Sequence, residues 1–136
     1  MKLFVPVRRA TLLVPSGPHH DPDRKHLFIL LTDPQPPDQR TLLVSVSSVP
    51  GNLPHDSTCL LYSGDHGFIR HPSYINYARS RIEPAQKLLD GVHSGVLVPQ
   101  GVLDTGIFAR VCQGLLESRH TAPKIRNFFN STQHTL

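Results

Sequence analysis

Residues 25–48, KHLFILLTDPQPPDQRTLLVSVSS, hold two apolar runs separated by eight residues, three of them proline. The first run, KHLFILLT (25–32), is continuous and too short for a typical helix. It predicts a strand buried on both faces. DPQPPDQR cannot join a helix or a central strand and predicts a loop. The second run, TLLVSVSS (41–48), alternates Val44 and Val46 with Ser45 and Ser47, the period-two pattern of a half-buried strand. The stretch therefore reads as two successive short strands joined by a loop.

Working outward, KLFVPVRRATLLVP (2–15) reads as a strand or strand pair with Pro6 at an edge or bulge. SGPHHDPDR is loop by composition, which leaves His19 and His20 solvated. After the loop VPGNLPHD, STCLLY repeats the short apolar strand and SGDHG turns the chain. FIRH and YINYARSRI read as two more extended segments, because Pro72 drives His71 away from the helical region. Six short strands at this spacing predict a strongly bent sheet or small barrel, whose closure removes exposed edges.

From Glu83 the pattern becomes helical. EPAQKLLDGVHSG places Pro84 in a first turn, with Gly91 or Gly95 as the stop. DTGIFARVCQGLLESR has Asp104 as N-cap and an apolar stripe of Ile107, Val111 and Leu115 that should pack on the sheet. TAPKIRNFF offers Thr121 as cap, Pro123 in the first turn, and Ile125, Phe128 and Phe129 as an apolar face. The expected organisation is one domain of mainly β structure with C-terminal α. The β part covers 1–82, two or three short helices cover 83–129, and the tail 130–136 frays.

The 136 residues carry a formal charge of +4, with 38% hydrophobic and 18% charged residues. That composition belongs to a folded soluble domain with a mild attraction for phosphate or acidic partners. The apolar start is broken by Pro6, Arg8 and Arg9, so it lacks the core of a signal peptide, and no run approaches the ~18 apolar residues of a spanning helix. The expectation is a cytoplasmic protein with no membrane partner. Cys59 and Cys112 form no CxxC pair and sit in apolar segments, as buried free thiols do. Phosphate-loop, dinucleotide, zincin and hydrolase-elbow patterns are all missing.

Chemistry concentrates in GDHGFIRHPSYINYARSRI (64–82). Asp65, His66 and His71 are metal-ligand types within seven residues, but no Cys/His quartet accompanies them, and the two histidines share a side only if the chain bends between them. A Cys59 pairing with either histidine requires a low-pKa thiol, which an apolar TCLLY does not favour. Metal-free RNA cleavage makes fuller use of the stretch. Attack by a 2′-hydroxyl on the adjacent phosphate needs a base, an acid and a cation for the charged phosphorane. His66 and His71 supply proton transfer, Arg70, Arg79 and Arg81 grip phosphate, and Tyr74 and Tyr77 offer faces for unstacked bases. The ordinary alternative is that His66 caps its own turn, the tyrosines pack in the core, and Arg79 and Arg81 form a solvated strand face.

The order KHLFILLTDP, TLLVSVSS and GDHGFIRH resembles the compact SH3-like barrels of the PemK/MazF-like toxin superfamily, over positions 1–82 in strand order and 26–82 in motif. GVLDTGIFARVCQGLLESRHTAPKIRNF is similar to the helical ending of small divergent members. The resemblance implies an SH3-like β-barrel and a type II toxin that cleaves single-stranded RNA without metal or other cofactor. It also implies an antitoxin encoded nearby as partner, growth inhibition, and an oligomeric state open to a homodimer. PDRKHLFIL stands where the family has a basic loop and a GRRP element, with Arg24 or Lys25 in place of its arginine. Ser47 or Ser48 stands for the family's serine or threonine at the end of the third strand, with Ser47 as a positioning hydroxyl. His66 and His71 have no counterpart in that pattern. The alternative is a non-catalytic barrel that binds protein or nucleic acid through the same cluster.

Overall fold

The computed structural model describes residues 3–133 and is mainly β: a curled six-stranded antiparallel sheet, a half-barrel, followed by helices. The elements are β1 (Ala10–Pro15), β2 (Lys25–Leu30), β3 (Arg40–Ser48), β4 (Leu60–Leu61), β5 (Ser73–Pro84), α1 (Ala85–His93), β6 (Val98–Val102), α2 (Thr105–Glu117) and α3 (Pro123–Thr132). Strand order across the sheet is β4-β5-β3-β2-β1-β6.

The two central runs form the sheet's middle as their patterns require. Leu27 through Leu31 are all buried, because one face of β2 meets α2 and α3 while the other lies toward α1. Pairing of Leu27 with Val46, Phe28 with Ser45 and Ile29 with Val44 sets the parity of β3. The valines therefore enter the larger core with Ile75, Tyr77, Val111 and Leu115. The serines face the opposite side.

Four expectations need correction. FIRH forms no strand; Tyr62 to Ile69 is a compact turn in which Ile69 N–H donates to the His66 carbonyl. The sixth strand is VPQGV, which Pro99 and Gly101 argue against in the sequence. It is an edge strand, where proline costs no ladder bond, and a bulge against β1 absorbs Gly101 at φ 77°. The C-terminal part thus contributes a strand as well as helices. Thr121 does not cap α3, which starts after Ala122 with Pro123 in its first turn; the Thr121 hydroxyl donates to the Leu115 carbonyl at 2.7 Å instead. α3 also runs to Thr132, into the stretch expected to fray, whereas 134–136 lie outside the described residues.

Asp104 caps α2 as expected, its carboxylate accepting from Gly106 N–H and Ile107 N–H. That helix lies on the sheet through Val111 and Leu115, and the Tyr77 hydroxyl donates to the Val111 carbonyl at 2.7 Å. Glycine is required at 114 by this contact, since a Cβ there would fall 2.1 Å from the Tyr77 hydroxyl oxygen. The smaller core, Ala10, Leu12, Val14, Phe28, Leu30, Leu43 and Leu88, lies on the other face beneath α1. Nine residues of helix span only about 13 Å at 1.5 Å per residue, so α1 leaves the end of this face toward β3's Ser45 and Ser47 uncovered. Among the described residues no helix is long and apolar enough to cross a membrane.

Candidate nucleic-acid interface

The uncovered end of the second face is built by register. Phe28 pairs with Ser45, and Ser45 with Asn76; Val14 pairs with His26, and Ser47 with Tyr74. Residues paired across strands point to one side, so His26, Ser45, Ser47, Tyr74 and Asn76 form a polar floor continuous with apolar Phe28. Between Asn76 and Arg81, β5 carries extra residues relative to β3, and the Ser80 hydroxyl closes this bulge by donating to the Tyr77 carbonyl at 2.7 Å. The bulge brings Arg79 to the same hollow as Arg81, whose guanidinium lies 4.6 Å from the Phe28 ring centroid.

The opposite wall comes from the loop after β1. Ser16 N–H donates to the Arg24 carbonyl, and Arg24 N–H to the Asp21 carbonyl. The loop folds so tightly that a Cβ on Gly17 would lie 1.9 Å from the Asp21 carbonyl oxygen and 2.6 Å from Arg24 Cβ. Arg24, Arg79, Arg81, His26, Ser47 and Tyr74 thereby line one hollow of about 240 Å³. A second hollow of about 440 Å³ shares Arg24, His26 and Ser47 with it and adds Lys25, Arg70 and His71. Five cations border the two hollows and no carboxylate lines either. The second is also lined by Leu27, Val46 and Ile69 of the larger core, so it opens on the opposite side of the same strand ends. Arg24 pairs with Asp21 at 3.3 Å; among the described residues the other four form no ion pair.

Most of the residues singled out from the sequence line these hollows. Arg24, Arg79, Arg81, Ser47 and Tyr74 share the first hollow, and Lys25, Arg70 and His71 the second. His71 Nε2 lies 2.7 Å from the Ser48 hydroxyl at the end of β3. The Tyr74 ring is half-buried and tilted against His55 at 5.2 Å. Tyr77 is fully buried in the larger core, so it presents no face to a base.

His66, like Tyr77, lines neither hollow. Its Nδ1 accepts from Phe68 N–H at 3.0 Å, which leaves the proton on Nε2 to be donated to the Gln100 carbonyl at 2.9 Å, with the Thr11 hydroxyl 3.1 Å away. Burial depresses its pKa, and the bond to Gln100 only partly opposes that. Both nitrogens are committed to holding the turn beyond β4 against β1 and β6, the far side of the sheet order. His66 is a cross-link between the two edges of the curled sheet, and it does not converge with His71. Asp65 accepts from Tyr62 N–H within the same turn. No group of three His, Cys, Asp or Glu side chains among the described residues is arranged to hold a metal ion. Burial raises the thiol pKa of Cys59, and pushes that of Cys112 up to about 12, so neither has the thiolate character of a nucleophile.

Sequence reasoning missed His26. It is the second residue of KHLFILLT, where the apolar run masks it; only the parity of β2, with His26 and Phe28 facing one way and Leu27 and Ile29 the other, separates it from the core. Its Nδ1 lies 2.7 Å from the Ser16 hydroxyl, and its pKa is lowered by burial and then by the positive charges of Arg24 and Arg79. Such a group is neutral near pH 7 in a cationic cleft, a state suited to accepting a proton. Comparisons with protein-family models, with curated proteins and with solved structures found no match for this chain.

Proposed function

We propose that the cationic face binds single-stranded RNA, and that the protein acts on it in the cytoplasm as a PemK/MazF-like toxin: a metal-independent endoribonuclease restrained by a small antitoxin protein. The observation that carries this reading is the pair of adjoining hollows bordered by five Lys and Arg side chains with no carboxylate in their linings. Guanidinium forks match phosphate oxygens in pairs, and Ser47 and Asn76 add neutral hydrogen-bonding groups beside them. Tyr74 offers a ring on the same floor, and stacking of one unpaired base on an aromatic contributes about 1–3 kcal/mol. Bases are free to stack in this way only when the strand is single, which favours single-stranded RNA over duplex.

The test uses purified full-length protein, a labelled single-stranded RNA and excess EDTA. Cleavage should persist in EDTA, and the logarithm of the binding constant should fall linearly with the logarithm of salt concentration, by about 0.7 per phosphate engaged. Arg79→Ala combined with Arg81→Ala should flatten that line, and Tyr74→Ala should weaken binding without changing its slope. RNA that is neither bound nor cut would refute the reading. A second reading, a non-catalytic RNA-binding module, is favoured by the commitment of both His66 nitrogens to backbone contacts. Tight, salt-dependent binding with no product would select it.

A further inference from the structure

We propose that His26 is the general base of RNA cleavage on this face, oriented by Ser16; this rests on the endoribonuclease reading above. The argument begins with a proton count. The Ser16 hydroxyl has one proton, and the Val14 carbonyl oxygen 3.1 Å away can only accept it. The 2.7 Å contact between Ser16 Oγ and His26 Nδ1 therefore has the imidazole as donor. With the proton on Nδ1, Nε2 carries a free lone pair. A chain from His26 Nδ1–H through the Ser16 hydroxyl to a backbone carbonyl thus sets the tautomer a base requires, as a second partner does for histidines in other catalytic sites.

Position supports the same role. His26 lines both hollows, so a strand crossing from Arg79 and Arg81 toward Arg70 passes it. The charged and titratable groups around it are Arg24 on the loop, Lys25 on its own strand, Arg79 and Arg81 on β5, and Arg70 and His71 on the segment before β5. Burial and the charges of Arg24 and Arg79 hold the ring in its neutral form to lower pH than usual. In the step itself, His26 Nε2 takes the proton of a 2′-hydroxyl and the 2′ oxygen bonds to the adjacent phosphorus. The bond from phosphorus to the 5′ oxygen breaks, and that oxygen takes a proton from water. A 2′,3′-cyclic phosphate and a 5′-hydroxyl result, and no oxidant, reductant or co-reactant besides water is needed.

The experiment measures single-turnover cleavage of a single-stranded RNA in EDTA by wild type, His26→Ala, His26→Gln and Ser16→Ala. Binding is measured separately on an oligonucleotide with 2′-deoxy sugars, which cannot be cut. Both His26 variants should lose about 10²–10⁴-fold in rate, while binding the deoxy strand within about threefold of wild type, a spread small beside that loss. The wild-type rate should rise with pH through a transition below 6.5, the ordinary imidazole value, and this limb should vanish in the His26 variants. Ser16→Ala should lose less rate and displace the limb, and Ser16→Thr should restore both. A wild-type profile flat across that range, or His26→Gln cutting at the wild-type rate, would overturn the role while leaving the endoribonuclease reading intact. Loss of deoxy-strand binding in parallel with cleavage would make His26 a binding group and overturn the base. Absence of cleavage by wild type would refute both.

Discussion

The two faces of the β3–β5 pair are made from the same few residues, taken alternately, and have opposite fates. Val44, Val46, Ile75 and Tyr77 point into the larger core, and the Tyr77 hydroxyl is satisfied by the Val111 carbonyl. Their immediate neighbours Ser45, Ser47, Tyr74 and Asn76 point to the other side and line a hollow bordered by arginines. Two tyrosines three residues apart thus serve packing in one case and an open floor in the other. What separates them is what lies above each face. α2 and α3 pack across the first, whereas α1 is too short to cover the second.

If that division is correct, substitutions on the covered face should be read in stability and those on the open face in binding. The largest loss is expected for Leu115→Ala, fully buried in the larger core, at about 2–5 kcal/mol, read as a lowered urea midpoint. Gly114→Ala comes next. Its new methyl group collides with the Tyr77 ring, and overpacking of this kind costs about 1–3 kcal/mol. A Gly114→Ala protein as stable as wild type would mean that α2 can lift off β5 freely.

A smaller effect concerns pH. His66 has a folded pKa below its ordinary value of 6.5, so the unfolded chain binds the proton more readily. Its contribution is therefore complete above pH 6.5, declines as pH falls below that value, and is exhausted once pH is below the folded pKa. Urea midpoints measured from pH 7.5 to 5 should fall, and His66→Gln should remove part of the slope; His26, lowered in the same direction, supplies another part. The smallest stability effect belongs to Arg79→Ala, an exposed position where substitutions usually stay within about 0.5 kcal/mol. The same change should weaken RNA binding at low salt. An Arg79→Ala protein that unfolds readily yet binds RNA as before would erase the distinction between the two faces.

Much of the fold is legible locally. The strand pair 25–48 and the Asp104 cap follow from alternation and from side-chain hydrogen bonding within a few residues. The cationic face is legible in composition, since Arg24, Lys25, Arg70, Arg79 and Arg81 can all be named without coordinates. Two strand assignments fail for one reason. VPQGV and FIRH differ in whether a partner edge exists, and that partner, β1, lies far away in sequence. His66 and His26 make the same point for the site. His66 stands in a conspicuous glycine turn, but its partners are Gln100 and Thr11, 34 and 55 residues away. His26 hides in an apolar run, and its orientation depends on Ser16 across the β1–β2 connection.

By itself, then, the sequence determined the two strands of residues 25–48, the helices that follow and the stock of cations, because periodicity, capping and charge act over a few residues. Only the tertiary structure decided which tyrosine is buried, which histidine is a cross-link and which lies in the cleft. Those outcomes depend on strand register, on one bulge in β5 and on the reach of α1, and each of these is settled by contacts between segments distant along the chain.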